Sequence, residues 1–115
     1  MKPIIVANWK MNPINIKEAK RLFDSVKNGA RKIKKAETIV CPPFVYLSNI
    51  QNAKSNIKFG AQDCFFEQKG AFTGEIAAGF LADVGCTYAL VGHSERRHLF
   101  GETDEDCRRK LRAAP

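Results

Sequence analysis

Apolar and polar positions follow two distinct periods along the 115 residues. KPIIVANWK, residues 2–10, is a compact apolar run that reads as a strand. Its period-2 faces set Ile4, Val6, Asn8 and Lys10 on one side and Ile5, Ala7 and Trp9 on the other. The stretch 17–35 then switches to helical spacing, with Ile16, Ala19, Leu22, Phe23, Val26, Ala30 and Ile33 forming one apolar stripe. ETIVCPP (37–43) predicts a second strand stopped by its Pro-Pro pair, and FVYLSNIQNA (44–53) a short helix. NIKFGAQD (56–63) predicts a third strand, IAAGFLADVG (76–85) a helix closed by Gly85, and TYALVGH (87–93) a fourth strand that delivers His93 to the start of a charged helical turn. Thr103 with Asp106 forms a capping box for a last helix, with Asp104 and Glu105 in its first turn. Between the third strand and the next helix, CFFEQKGAFTGE (64–75) is too long for an idle connection in a compact unit.

Strands alternating with helices imply an α/β fold with a parallel sheet and right-handed crossovers. Aligned parallel strands would bring Asn8, Lys10, Gln62 and His93 to one carboxyl rim, the edge at which α/β sheets bind ligands. Trp9 points the other way, toward the helices.

Composition narrows the classes. Hydrophobic residues make up 44% and charged residues 27%, the balance of a soluble globular domain, and the length suits one core. Asn8 cuts the first apolar run too short for a signal peptide, and nothing later approaches a membrane span, so a cytoplasmic protein is expected. Cys41, Cys64, Cys86 and Cys107 lie more than twenty residues apart with no CxxC pair, which reads as reduced thiols partly in the core. His93 and His98 are the two histidines, and no pattern completes a metal site around them. The formal charge of +7 raises the question of a nucleic-acid partner. Eight of the nineteen cations sit in 17–35, on the polar side of an amphipathic helix, and no nucleic-acid motif accompanies them, so a solvated face is the better reading.

The blocks ANWKMN (7–12), CPP (41–43), GAQD (60–63), GAFTGE (70–75) and VGHSERR (91–97) occur in the order and at about the spacing seen in triosephosphate isomerases. They span nearly the whole chain, and NWKMN with GHSERR is highly specific, so the chain resembles that family. The resemblance implies a (β/α)₈ barrel, of which 1–115 would be the N-terminal portion: the first four β/α units, a half barrel within one domain of about 250 residues. It also implies interconversion of dihydroxyacetone phosphate and glyceraldehyde 3-phosphate through an enediolate, in glycolysis and gluconeogenesis, by a cytoplasmic homodimer without cofactor or metal.

By the same resemblance His93 is the electrophile, and the positive end of a helix behind it favours a neutral, hydrogen-bond-donating imidazole. Lys10 supplies charge against the phosphate and enediolate, Asn8 a substrate-contacting amide, and Glu95 a catalytic-site glutamate that supports the lysine. Phe72 and Thr73 fall near the tip of the loop that enters the partner subunit. Arg96, Arg97 and His98 are left to surface or ion-pair roles. Glu18, Glu37, Glu67, Glu75, Glu95, Glu102 and Glu105 all lie outside any context like that of the family's glutamate base, so the 115 residues are expected to be an N-terminal portion of the enzyme or a truncated product, inactive alone. Two other classes stay open: a half-barrel structural unit without catalysis, and a basic nucleic-acid-binding domain.

Overall fold

The computed structural model describes residues 1–51 and 54–114. The chain runs β1 (Ile4–Asn8), α1 (Ile16–Ala30), β2 (Glu37–Cys41), a 3₁₀ turn (Phe44–Tyr46), α2 (Leu47–Ile50), β3 (Lys58–Ala61), α3 (Ala78–Asp83), β4 (Cys86–Ala89), α4 (Ser94–Phe100) and α5 (Asp104–Ala113). The four strands form one parallel sheet in chain order. That is the parallel sheet the alternating periods imply, and the arrangement of the first four units of a (β/α)₈ barrel, as the resemblance implies.

The sheet's helix-facing side holds the core. Ala7, Val40, Phe59, Ala61 and Cys86 pack with Ala19 and Phe23 of α1, Leu47 and Ile50 of α2, and Leu81 of α3. Phe23 stacks on Phe59 with ring centroids 5.3 Å apart. Each buried Val, Leu, Ile or Phe side chain among them contributes about 1.5–3 kcal/mol. Trp9 joins this cluster, as its strand face predicts. Asn15 starts α1 by accepting from the Glu18 amide, and the helix ends at Ala30, short of the expected boundary. Ile33, beyond the helix end, and Leu22, within the helix, are exposed and lie outside the buried stripe.

The opposite face carries Ile39, Cys41, Gly60 and Tyr88. A Cβ built on Gly60 would stand 2.6 Å from Cys41 Sγ, so this close approach demands glycine. The face is thinly covered toward β1: Ile4 is 53% and Val6 46% exposed. Ile5, on the other side of the same edge strand, is also half exposed.

Other boundaries also differ from the sequence expectation. β1 ends at Asn8, so Lys10 does not share a strand face with it; Lys10 sits in the loop with φ 58°, where period-2 counting has lapsed. β4 ends at Ala89, and His93 follows four residues later as the N-cap of α4. The expected helix over 44–53 is a 3₁₀ turn and one short α-turn; its last two expected residues, like Pro115, lie outside the described residues. The capping box at Thr103 forms as read: the Thr103 side chain accepts from the Asp106 amide while Asp106 accepts from the Thr103 amide.

All four thiols are buried and free, and burial pushes those of Cys41 and Cys86 up to about 11. The folded chain at pH 8 should therefore react slowly with a soluble disulfide reagent and titrate fully only after denaturation. Prompt modification of two or more thiols before unfolding would contradict this packing.

Candidate functional site at the carboxyl rim of the sheet

The rim is assembled by loops that leave the strands rather than by the strands themselves. After β1 the Trp9 amide still donates to Cys41 O at 3.0 Å, extending the β1–β2 pairing by one residue. The chain then turns sharply. Asn8 Oδ1 accepts from the Lys10 amide at 2.9 Å, and Gln62 Nε2 donates to Lys10 O at 2.8 Å and to Cys41 O at 2.9 Å. Asn8 and Gln62 thus hold Lys10 from both ends in a left-handed conformation that costs a residue with a Cβ about 1–2 kcal/mol. Strain of this kind persists where surrounding bonds over-determine it, and it concentrates at functional sites.

At the other end of the rim, His93 caps α4. Its Nδ1 accepts from the Glu95 amide at 3.1 Å. An imidazole nitrogen that accepts carries no proton, so a neutral ring in this arrangement carries its hydrogen on Nε2 as a donor. Glu95 links the two halves: its Oε1 is 2.8 Å from Lys10 Nζ, and its Oε2 is 3.8 Å from His93 Nδ1. The hydrogen bond from Lys10 holds the Glu95 carboxyl below its ordinary range against partial desolvation, with the Lys10 charge adding to it. A lowered carboxyl pKa means that the pair stabilises the fold above the ordinary carboxylate range, an effect lost as pH falls through the folded value. Both partners are about half exposed, so the pair matters for placing charge and little for stability. Asn8, Lys10, Glu95 and His93 are therefore joined in one chain of contacts.

The long loop over 64–75 is pre-shaped. Phe65 donates its amide to Ile76 O at 2.8 Å, and Glu75 to Phe72 O at 3.0 Å. Phe65 lies between Phe66 and Phe72, with centroids 4.3 and 4.8 Å away. Phe72 is still 43% exposed and Thr73 is exposed.

Beneath the rim is a set of charges that sequence reasoning missed. Glu102 and Lys110 are buried and ion-paired; Lys110 Nζ also donates to Asp63 Oδ1 at 2.9 Å. Arg96 Nε is 3.0 Å from Asp63 Oδ2, at an angle that leaves it without a hydrogen bond. Burial works against the ionised forms, but mutual hydrogen bonds prevail, leaving Glu102 below and Lys110 above their ordinary ranges. Arg97 pairs with Asp104 at 2.8 Å, in keeping with the ion-pair role expected of it. At the other end of the sheet, a cleft of about 650 Å³ is lined by Lys2, Lys27, Arg31, Lys34 and Lys58 among others. Lys58 is paired there with Glu37 at 2.7 Å, and Lys27 sits in the last turn of α1, where a cation suits the helix dipole.

The triosephosphate isomerase family model matches residues 3–115. The chain belongs to the triosephosphate isomerase family. It is 47% identical over 115 residues to the triosephosphate isomerase of Alkaliphilus oremlandii, covering 98% of this chain and 46% of that one. With that of Clostridium perfringens it shares 49% over 114 residues, 97% of this chain and 45% of the relative. The crystal structure of the Bartonella henselae triosephosphate isomerase superposes with a TM-score of 0.91 at 34% identity, over 99% of this chain and 47% of that one. The chain thus spans about half the length of the triosephosphate isomerases it matches. Among the described residues, no helix is long and apolar enough to cross a membrane.

Proposed function

We propose that these residues form the electrophilic half of a triosephosphate isomerase active site, and that the whole protein interconverts dihydroxyacetone phosphate and glyceraldehyde 3-phosphate. The observation that carries this reading is the His93 ring, with Nδ1 committed to the Glu95 amide and Nε2 left to donate, beside a Lys10 ammonium fixed by the same glutamate.

In the proposed reaction a base removes the proton from the carbon next to the carbonyl. Negative charge develops on the carbonyl oxygen, where His93 Nε2–H donates a hydrogen bond and Lys10 supplies compensating charge. The neighbouring hydroxyl gives up its proton as the former carbonyl oxygen takes one, and return of the abstracted proton to the former carbonyl carbon completes the isomerisation, with no net redox change and no cofactor. Asn8 adds a substrate-facing amide group. The base itself is assigned to the remainder of the whole protein, since no glutamate here stands in the family's context for it. Localisation in the cytoplasm and assembly into a homodimer through Phe72 and Thr73 belong to the same reading.

A hybrid in which residues 1–115 replace the matching portion of the Clostridium perfringens relative provides the test. Dihydroxyacetone phosphate should shift the side-chain resonances of Lys10 and the ring resonances of His93 saturably, leaving His98 as an unmoved reference. Saturable binding that leaves both Lys10 and His93 unmoved would overturn the assignment. Sedimentation of the hybrid lacking residues 70–74 should show a loss of the dimer; an unchanged dimer would refute the role given to Phe72 and Thr73.

A further inference from the structure

His93 reaches the rim through Gly92, and both peptide groups of Gly92 are held by side chains from α4 and from the segment leading into α5. The Gly92 N–H donates to Glu102 Oε2 at 3.0 Å, and Arg97 Nε donates to Gly92 O at 3.1 Å. Gly92 has φ 73°, and a Cβ there would sit 3.0 Å from Cys107 Sγ and 3.3 Å from Arg97 Nη2. No side chain fits that turn without displacing the groups that hold it.

Those groups are themselves fixed. The Glu102 side chain is 3% exposed; its second oxygen is taken by Lys110, and the Cys107 thiol donates to Oε2 at 3.7 Å. Arg97 is anchored on Asp104 Oδ1 at 2.8 Å and on Cys107 Sγ at 3.3 Å. The Glu102 amide donates to Arg96 O at 3.1 Å, which folds the chain back under α4 so that the carboxylate can reach Gly92.

We infer that Glu102 is a positioning residue for His93: its carboxylate holds the Gly92 peptide, and through it the orientation in which His93 Nδ1 meets the Glu95 amide and Nε2 faces the rim. Lys110 keeps the carboxylate in place, and Arg97 holds the other side of the same residue. The inference rests on the isomerase reading for its catalytic consequence, though not for its structural one. Its physical basis is that an orienting group removed from the chemistry changes rate through geometry, and a misplacement of about 1 Å costs about 10²-fold.

Two double variants of the hybrid isolate the acceptor from the charge pair. Glu102→Gln with Lys110→Met keeps a carbonyl oxygen for the Gly92 amide; Glu102→Leu with Lys110→Met removes it. Both lose the ion pair, so both lose stability. Working temperatures are set so that each is folded by circular dichroism. The Leu variant should lose about 10–100-fold in kcat with KM within about two-fold, while the Gln variant keeps kcat within about three-fold of the unsubstituted hybrid. Amide exchange at Gly92 and Glu95 should accelerate in the Leu variant alone. Equal losses of kcat in the two variants, or none in either, would overturn the positioning role. If the unsubstituted hybrid shows no turnover, the isomerase reading fails, and the Glu95 amide decides the inference alone: protection lost in both variants, or in neither, sinks it.

Discussion

Turnover of the hybrid enzyme falls about 10²–10⁴-fold on His93→Ala, with its circular dichroism unchanged. The size of the effect follows from the ring's place. Nδ1 is bonded to the Glu95 amide, so Nε2–H is a fixed donor at the rim, and alanine leaves the developing oxyanion without it. The fold survives because His93 lies outside β4 and the core cluster; what is lost with the ring is one cap on a seven-residue helix. Lys10→Ala should cost a similar factor by removing the ammonium that Glu95 holds. Steady-state kinetics beside circular dichroism decide both, and near-unchanged rates for His93→Ala would sink its assignment as electrophile.

The second large effect is on stability. Lys110→Ala removes the cation shared by Glu102 and Asp63 and leaves the Glu102 carboxylate buried, with Arg96 Nε 3.6 Å away. Breaking a buried pair in this way costs about 3–5 kcal/mol, or about 10 °C in the melting temperature of a chain of the hybrid's size. The pH dependence has a definite sign at each end. Glu102 is held below the ordinary carboxylate range, so its contribution is present above that range and is lost as pH falls through the folded pKa. Lys110 is held above 10.5, so its contribution is present below that value and is lost as pH rises through the folded pKa. The stability difference between the hybrid and its Lys110→Ala variant should therefore stay flat between about pH 5 and pH 10 and shrink outside that window. Melting curves across pH check this; a difference under about 1 kcal/mol at pH 7 would show the pair to be worth no more than a surface one.

Most of the sheet and the members of the rim were legible in the sequence, for the reason that period 2 and period 3.6 report which side chains are buried. Trp9 toward the helices, the apolar stripe led by Ala19 and Phe23, and the Thr103 capping box are all local consequences of burial or hydrogen bonding within a few residues. Lys10 and His93 were placed at the right rim by a simpler geometry than the real one. Periodicity does not see that Asn8 and Gln62 bend the backbone at Lys10, or that β4 stops at Ala89, because those bonds join residues up to 52 positions apart.

The buried charges were illegible for a different reason. In DEDCRRKLRA a lysine reads as solvated, yet the structure buries Lys110 and leaves Leu111 65% exposed. Burial of an ammonium is set by its partners Asp63 and Glu102, one of them on the far side of the chain, and no window along the sequence contains both. The Gly92 clamp was hidden in the same way, since Glu102 reads as a loop residue until its carboxylate is seen on the Gly92 amide.

Residues 1–115 are proposed to carry the electrophile and the cation of a triosephosphate isomerase site and to take the base from the rest of the whole protein. Assaying dihydroxyacetone phosphate and glyceraldehyde 3-phosphate interconversion by the hybrid, and by residues 1–115 alone, tests it most directly. The hybrid should turn over at a rate comparable to that of its Clostridium perfringens parent. Residues 1–115 alone should show none, with light scattering revealing self-association through the half-exposed β1 edge at Ile4, Ile5 and Val6. A folded but inactive hybrid, or enzyme-like turnover from a monodisperse 115-residue monomer, would contradict it.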